Sequence, residues 1–235
     1  TTASPVPVYT QGKDLSQGKD PTIGDDDQGG EFQRHLVNST LRIKLDQFRA
    51  APEFAGIDGS GFSAVILDTG VDLDHPHFGP DADSNGISDR IVYQQSFVGG
   101  ATANDGSGHG THVTGIIGSQ DPTHTGMAPA ASLISLQTNA ANGQGSFAGL
   151  EQALQWVVNN AATYNIATVN MSLGDGGNYT EAISQFGIGD ELEALAALDV
   201  IVVSASGNSY GTYRSPGVAY PSADPFSLSI GNRLT

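Results

Sequence analysis

The feature that most restricts the fold is an alternation of two periodicities. Short apolar, β-branched runs take turns with longer stretches at helical spacing, and no hairpin signal joins neighbouring runs. The runs are SAVILD (Ser63–Asp68), ASLISLQT (Ala131–Thr138), ATVNMSLG (Ala167–Gly174) and VIVVSASGN (Val200–Asn208). The first helical stretch is HVTGIIGS (His112–Ser119), with Val113, Ile116 and Ile117 on one face. The second is FAGLEQALQWVVNNAA (Phe147–Ala162), with Leu150, Leu154 and Val157 at helical spacing, and the third is TEAISQFGIGDELEALAALD (Thr180–Asp199). Strands joined through helices pair in parallel by right-handed crossovers, with both sheet faces covered. The expectation is an α/β fold around a parallel central sheet. Ligand sites in such sheets form at the carboxyl ends of the strands.

At 235 residues the chain is long enough for one domain with a sizeable core. Residues 1–36 are polar, with Gly and Asp clusters such as IGDDDQGG, and read as an extension. Residues 37–235 read as one globular domain without internal repeats. The chain begins with Thr and carries no visible signal peptide, which reads as a processed product or a piece of a longer chain. The formal charge of −16, from 25 acidic and 9 basic residues, argues against nucleic acid or an anionic membrane as partner. There are no cysteines, so disulfides, thiolate metal sites and a cysteine nucleophile are excluded. No apolar run reaches the length of roughly 18 residues that a membrane span needs.

Three polar clusters sit at strand ends. Asp68 closes SAVILD, so a buried strand delivers one carboxylate to the sheet's carboxyl end. Taken alone, it reads first as a turn or helix cap. His109 opens a helix with glycine on both sides, and glycine there admits close approach of other segments. His109 and His112 could be zinc ligands, but HxxH lacks the adjacent glutamate of the H-E-x-x-H motif, and a zinc site wants three or four ligands. Asn208 ends SASGN, where a carboxamide emerges from a small-residue turn.

The order Asp, His, Asn resembles that of the subtilisin-like serine proteases. The matching strings are AVILDTGVDLDHP, GHGTHVTGIIG, GMAP, NMSLG and VVSASGN, which together span most of residues 60–235. The resemblance implies a three-layer subtilisin-like fold and endopeptidase activity through an Asp-His-Ser triad. It makes His109 the general base and His112 structural. Asp68 would fix the His109 tautomer and stabilise the imidazolium. Asn208 would donate its amide to the oxyanion.

The resemblance also implies a substrate groove in which an extended peptide adds as a strand. One side is Asn142–Ser146, with Gly143, Gln144 and Gly145; the other is Ser172, Leu173 and Gly174. The pocket for the side chain before the scissile bond would be walled by Ser172–Asp175 and by Ala205, Ser206, Gly207 and Asn208, with Ala219 at its floor. No basic residue lines it and Ala219 is small, which favours a large apolar side chain. Asp175 is the feature that favours a basic one. Phe147, Leu150 and Leu173 resemble an apolar subsite further upstream, or plain core.

DADSNGISD (Asp81–Asp89) places oxygen-bearing side chains at positions one, three, five and nine, with Gly at six. That is the spacing of an EF-hand-type calcium loop, in which position seven offers a carbonyl. The expected Ca2+ ligands are Asp81, Asp83, Asn85, the Ile87 carbonyl and Asp89. Position twelve is Val92 rather than Glu, so a full EF-hand is absent, and an acidic surface loop is the plainer reading. The N-x-S/T sequons at Asn38, Asn170 and Asn178 are treated as chance.

The family's nucleophile lies in a GTSMA-like string that opens a helix, and no such string occurs here. Ser206 lies in the pocket wall and Ser215 precedes Pro216 in a turn, so neither fits. The expectation is a catalytic domain whose C-terminal part is missing, inactive alone, with Ser supplied by the C-terminal remainder of the same protease. The partners are then that remainder and a peptide or protein substrate. The competing reading is a degenerate subtilase module that binds peptides without cutting them. Absence of Cys together with a calcium loop fits secretion.

Overall fold

The computed structural model describes residues 8–10, 40–100 and 102–231. Apart from residues 8–10, the expected 1–36 extension lies outside the described residues, as does sequon Asn38. The elements in chain order are β1 (Val8–Thr10), α1 (Leu45–Ala50), β2 (Ser63–Asp68), β3 (Ile91–Ser96), α2 (His109–Gly118), β4 (Ser132–Gln137), β5 (Gln144–Ser146), α3 (Phe147–Asn160), β6 (Ile166–Met171), α4 (Gly189–Ala197), β7 (Ile201–Ala205), α5 (Tyr210–Tyr213) and β8 (Leu228–Ile230).

Six strands form one sheet in the order β3-β4-β2-β6-β7-β8, with every neighbouring pair parallel. This is the expected α/β architecture. Central strand β2 is buried along its whole length, as a strand covered on both faces must be. Its side chains alternate between two cores. Val65 and Leu67 face a larger core with Ile134 and Leu136 of β4, Leu150, Leu154 and Val157 of α3, and Leu192 and Leu195 of α4. Ile66 faces a smaller core with Leu133, Ile91 and Phe78, against which Val113 and Ile117 of α2 pack. Helices thus lie on both sides of the sheet.

Helix α2 approaches the sheet on small residues. Its buried positions are Gly110, Thr114 and Gly118, one turn apart, rather than its isoleucines. A Cβ on Gly118 would lie 2.8 Å from Leu133 Cδ2, so glycine sets this spacing.

Two expectations change. The helix expected over residues 180–199 forms only as α4, Gly189–Ala197. Phe186 and Gly187 take left-handed backbone angles, φ 58° and 82°, which a continuous helix cannot hold. The segment before them bonds sideways instead: Tyr179 exchanges backbone hydrogen bonds with Val218, and the Ile183 amide donates to the Ala223 carbonyl at 3.0 Å. The second change is an addition. Strand β1 pairs antiparallel with β5, setting Val8 opposite Ser146, Tyr9 opposite Gly145 and Thr10 opposite Gln144.

Candidate active site

Parallel pairing aligns the strand ends. Asp68 ends β2 opposite Gln137, the last residue of β4. On the other side of β2 lies β6, which ends at Met171 just before Ser172, and beyond it β7, which ends at Ala205. The residues singled out at Asp68, Ser172–Gly174 and Ala205–Asn208 therefore share one edge of the sheet.

Asp68 is 1 % exposed, and its Oδ1 stands 2.8 Å from His109 Nδ1. The Thr69 amide donates to the same oxygen at 2.7 Å. The Asp68 carbonyl accepts from the Thr138 and Asn139 amides, which fastens the strand end to β4. An ionised carboxylate only accepts hydrogen bonds, so His109 Nδ1 carries the proton and Nε2 is the basic nitrogen. The hydrogen bond that Asp68 accepts raises the His109 pKa above its ordinary value of 6.5, against burial, and the charges of Asp68 and Asp105 act in the same direction. About a third of the imidazole is exposed, enough for a reactant to reach it. His112, one turn along, is exposed.

Helix α2 starts without a side-chain cap, after Gly108 at φ 88°. Asp105 supplies the missing acceptor. Its Oδ1 accepts from the Ser107 amide and its Oδ2 from the Thr111 amide, at 2.8 and 2.9 Å. Sequence reasoning missed Asp105. The signal was an acidic residue two to six positions before a helix start rich in Gly and Thr.

The two segments expected to wall the pocket meet at Ala219, which is 1 % exposed. Cβ atoms built on Gly174 and Gly207 would lie 3.0 and 2.9 Å from the Ala219 methyl. The Ala219 amide donates to the Ser206 carbonyl at 2.9 Å. Asn208 is exposed in the turn after β7. The Asp175 carboxylate is taken up within the protein. Its Oδ1 accepts from the Gly177 and Tyr220 amides, at 2.8 and 3.0 Å, and its Oδ2 from the Tyr179 hydroxyl at 2.8 Å and from Gln185 Nε2 at 3.4 Å. Phe147, Leu150 and Leu173 lie in the larger core, each at most 2 % exposed. On the opposite segment Gly143 and Gly145 are buried and Gln144 is exposed.

In the Asp81–Asp89 loop, carboxylate oxygens of Asp81, Asp83 and Asp89 lie within 4.8 Å of one another. The Asp81 carboxylate accepts from the Gly86 and Asn85 amides at 2.8 and 3.0 Å, and these bonds hold its pKa below the usual range. Asn85 Oδ1 accepts from the Ile87 amide at 2.8 Å. Among the described residues, no helix is long and apolar enough to cross a membrane.

The fold is thus a parallel α/β sheet with a buried Asp68 paired to a half-buried His109 at its carboxyl edge. Residues 59–234 match the subtilase family, Peptidase S8, and the chain belongs to that family. It is similar to subtilisin DY of Bacillus licheniformis, 29 % identical over 192 residues, covering 80 % of this chain and 61 % of the relative. It is also similar to subtilisin-like protease 3 of Pseudogymnoascus destructans, 32 % identical over 153 residues, or 64 % of this chain and 33 % of that one. Proteinase T of Parengyodontium album is 37 % identical over 119 residues, 49 % of this chain and 36 % of its own. The chain thus spans about three fifths or less of these relatives.

Proposed function

We propose that this chain carries the acid–base and substrate-holding part of a subtilisin-like serine endopeptidase. The observation that carries this reading is the 2.8 Å contact between His109 Nδ1 and a buried Asp68 carboxylate. The nucleophilic Ser comes from the C-terminal remainder of the same protease. As its oxygen attacks the scissile carbonyl, its proton passes to His109 Nε2. Asp68 stabilises the imidazolium, which then protonates the leaving amine. The Asn208 carboxamide donates to the oxyanion. The peptide lies along Gly143, Gln144 and Gly145 on one side and Ser172, Leu173 and Gly174 on the other. The side chain before the scissile bond enters between Ala205–Gly207 and Gly174, over Ala219. That side chain is apolar, because Asp175 is already engaged by four donors.

Ca2+ binds the loop through Asp81, Asp83 and Asp89, with Asn85 Oδ1 and the Ile87 carbonyl as further oxygens. The converging carboxylates suit a hard cation, which would neutralise them and hold the loop. The domain comprises residues 37–235, preceded by an extension over 1–36, and the protein works outside the cell.

A non-catalytic peptide-binding module is the second reading, favoured by the addition of β1 to β5. Such a module has no use for a buried Asp68 carboxylate bonded to His109. The deciding experiment is hydrolysis of a peptide ester or amide by the complete protease and by its His109→Ala variant. Loss of nearly all turnover in the variant supports the endopeptidase. Unchanged turnover, or none in the complete protein, rejects it.

A further inference from the structure

We propose that Asp105 is a positioning residue, which orients the Asp68–His109 pair through the hydroxyls of Thr69 and Thr111. The inference rests on the reading of that pair as the acid–base machinery.

Asp105 lies outside both α2 and β2, yet its carboxylate braces one against the other. Its Oδ1 accepts from the Thr69 hydroxyl at 2.9 Å, and its Oδ2 from the Thr111 hydroxyl at 2.6 Å. Thr69 directly follows Asp68, and Thr111 lies two residues after His109. Each hydroxyl in turn accepts a backbone amide from the opposite segment. Gly110 N–H donates to Thr69 Oγ1 at 2.9 Å, and Asp72 N–H donates to Thr111 Oγ1 at 2.9 Å. The brace is reciprocal, and Asp105 is the group common to both halves.

A hydroxyl has one proton to give. With that proton committed to Asp105, each threonine oxygen presents a lone pair to the opposing amide. Thr69 Oγ1 also stands 3.3 Å from Asp68 Oδ1, the oxygen that faces His109. Asp105 thus draws the Thr69 proton away from the oxygen that holds the imidazole. An Asn at 105 has one accepting oxygen and an amide group that accepts nothing. One threonine must then release its proton elsewhere, and for Thr69 the nearest acceptor is Asp68 Oδ1. That would make the hydroxyl a competitor of His109 for the same oxygen.

The carboxylate is built to stay ionised. Burial pushes its pKa up, but donors from Thr111, Ser107 and Gly108 outweigh burial and leave it lowered. Among the described residues, charged groups acting on the imidazole include Asp68 from the end of β2 and Asp105 from the loop before α2, and both favour its protonated form.

The test is an NMR pH titration of the His109 imidazole in this chain, which reads the pair without requiring turnover. Asp105→Asn is compared with Thr69→Val and Thr69→Ser, with thermal unfolding run alongside to establish that each is folded. Thr69→Val keeps the Asp105 charge but removes both the bond to Asp105 and the acceptor of the Gly110 amide, so the start of α2 loses its anchor to the end of β2 and His109 its seat on Asp68. The expected result is a downward shift of the His109 midpoint in Asp105→Asn and in Thr69→Val, with Thr69→Ser restoring the wild-type value. A folded Thr69→Val with an unmoved midpoint overturns the proposal, since Asp105 would then be a fixed charge or a structural brace alone. If Asp105→Asn does not fold, the Thr69 pair still decides. Because the peptidase assay is separate, an inactive complete protein with a shifting midpoint rejects the endopeptidase reading and leaves the positioning role standing.

Discussion

Gly110 of helix α2 lies so close to Gly70 that a Cβ on Gly110 would overlap the Gly70 carbonyl oxygen and stand 3.2 Å from Asp68 Oδ1. The obstacle is backbone, which cannot swing aside. Gly110→Ala is therefore expected to push α2 off the end of β2, at a cost of about 1–3 kcal/mol, and to break the His109–Asp68 bond. Gly115 on the same helix supplies the control. A Cβ there meets nothing within 4 Å, so Gly115→Ala should stabilise by up to about 1 kcal/mol through helix propensity. Thermal unfolding of the two variants checks both signs, and equal effects would refute the close-approach account.

The antiparallel seating of Val8–Thr10 on Gln144–Ser146 puts a segment of this chain on the edge proposed to hold substrate. A tethered strand competes at roughly millimolar effective concentration. Deleting residues 1–10 should strengthen binding of an extended apolar peptide several-fold, read by fluorescence anisotropy. Unchanged affinity would mean that peptide and β1 do not share this edge.

Where local chemistry and tertiary demand agreed, the sequence was readable. A fully buried strand ending in Asp68, and a Gly-flanked histidine at a helix start, carry their placement in their own neighbourhoods. Strand β3 does not. Val92 is exposed, and the Gln94 carboxamide accepts from the Ala103 amide at 2.6 Å, so no apolar run marks it. Residues 180–188 have helical spacing, but Tyr179 just before them pairs with Val218 and the Ile183 amide donates to Ala223, contacts that no local pattern reveals. The capping of α2 by Asp105 left a local signal, but its link to the end of β2 did not. Its partner Thr69 lies 36 residues away in the chain, and only the fold brings the two together.

Asp175 bears on specificity. Its two oxygens are engaged by Gly177, Tyr220, Tyr179 and Gln185, so a basic side chain would have to break those bonds to use it. The complete protease should cleave faster after Phe than after Lys. Asp175→Asn should leave that ratio within about twofold while lowering stability by about 1–3 kcal/mol, the cost of disturbing partly buried hydrogen bonds. Faster cleavage after Lys, lost on substitution, would assign the carboxylate to the pocket instead.

The Asp81–Asp89 loop predicts a calcium response. A ligand at about a hundred times its Kd adds about 2.7 kcal/mol. For a domain of this size that raises Tm by roughly 5–10 °C. Asp81→Asn should abolish the rise. Because Asp81 also holds the Asn85 and Gly86 amides, the quantity to compare is the difference with and without Ca2+ in each variant. A Tm indifferent to Ca2+ and to chelator would leave the loop a solvated acidic turn.

The raised His109 pKa sets two opposite trends with pH. Below 6.5 the imidazole is protonated both folded and unfolded, and the stabilisation it draws from Asp68 is fully present. As pH rises through the folded-state value, the charge is lost and so is that contribution. The pair's share of stability therefore falls with increasing pH. The proposed general base needs neutral Nε2, so kcat/KM of the complete protease should rise across the same interval, with its acid limb above 6.5. In Asp68→Asn the acid limb should move to lower pH, because the hydrogen bond and charge that favour the imidazolium are gone. Urea unfolding at a series of pH values, set beside a pH–rate profile, checks both trends. A stability contribution that grew as pH rose through this interval would mean that Asp68 does not hold the protonated imidazole.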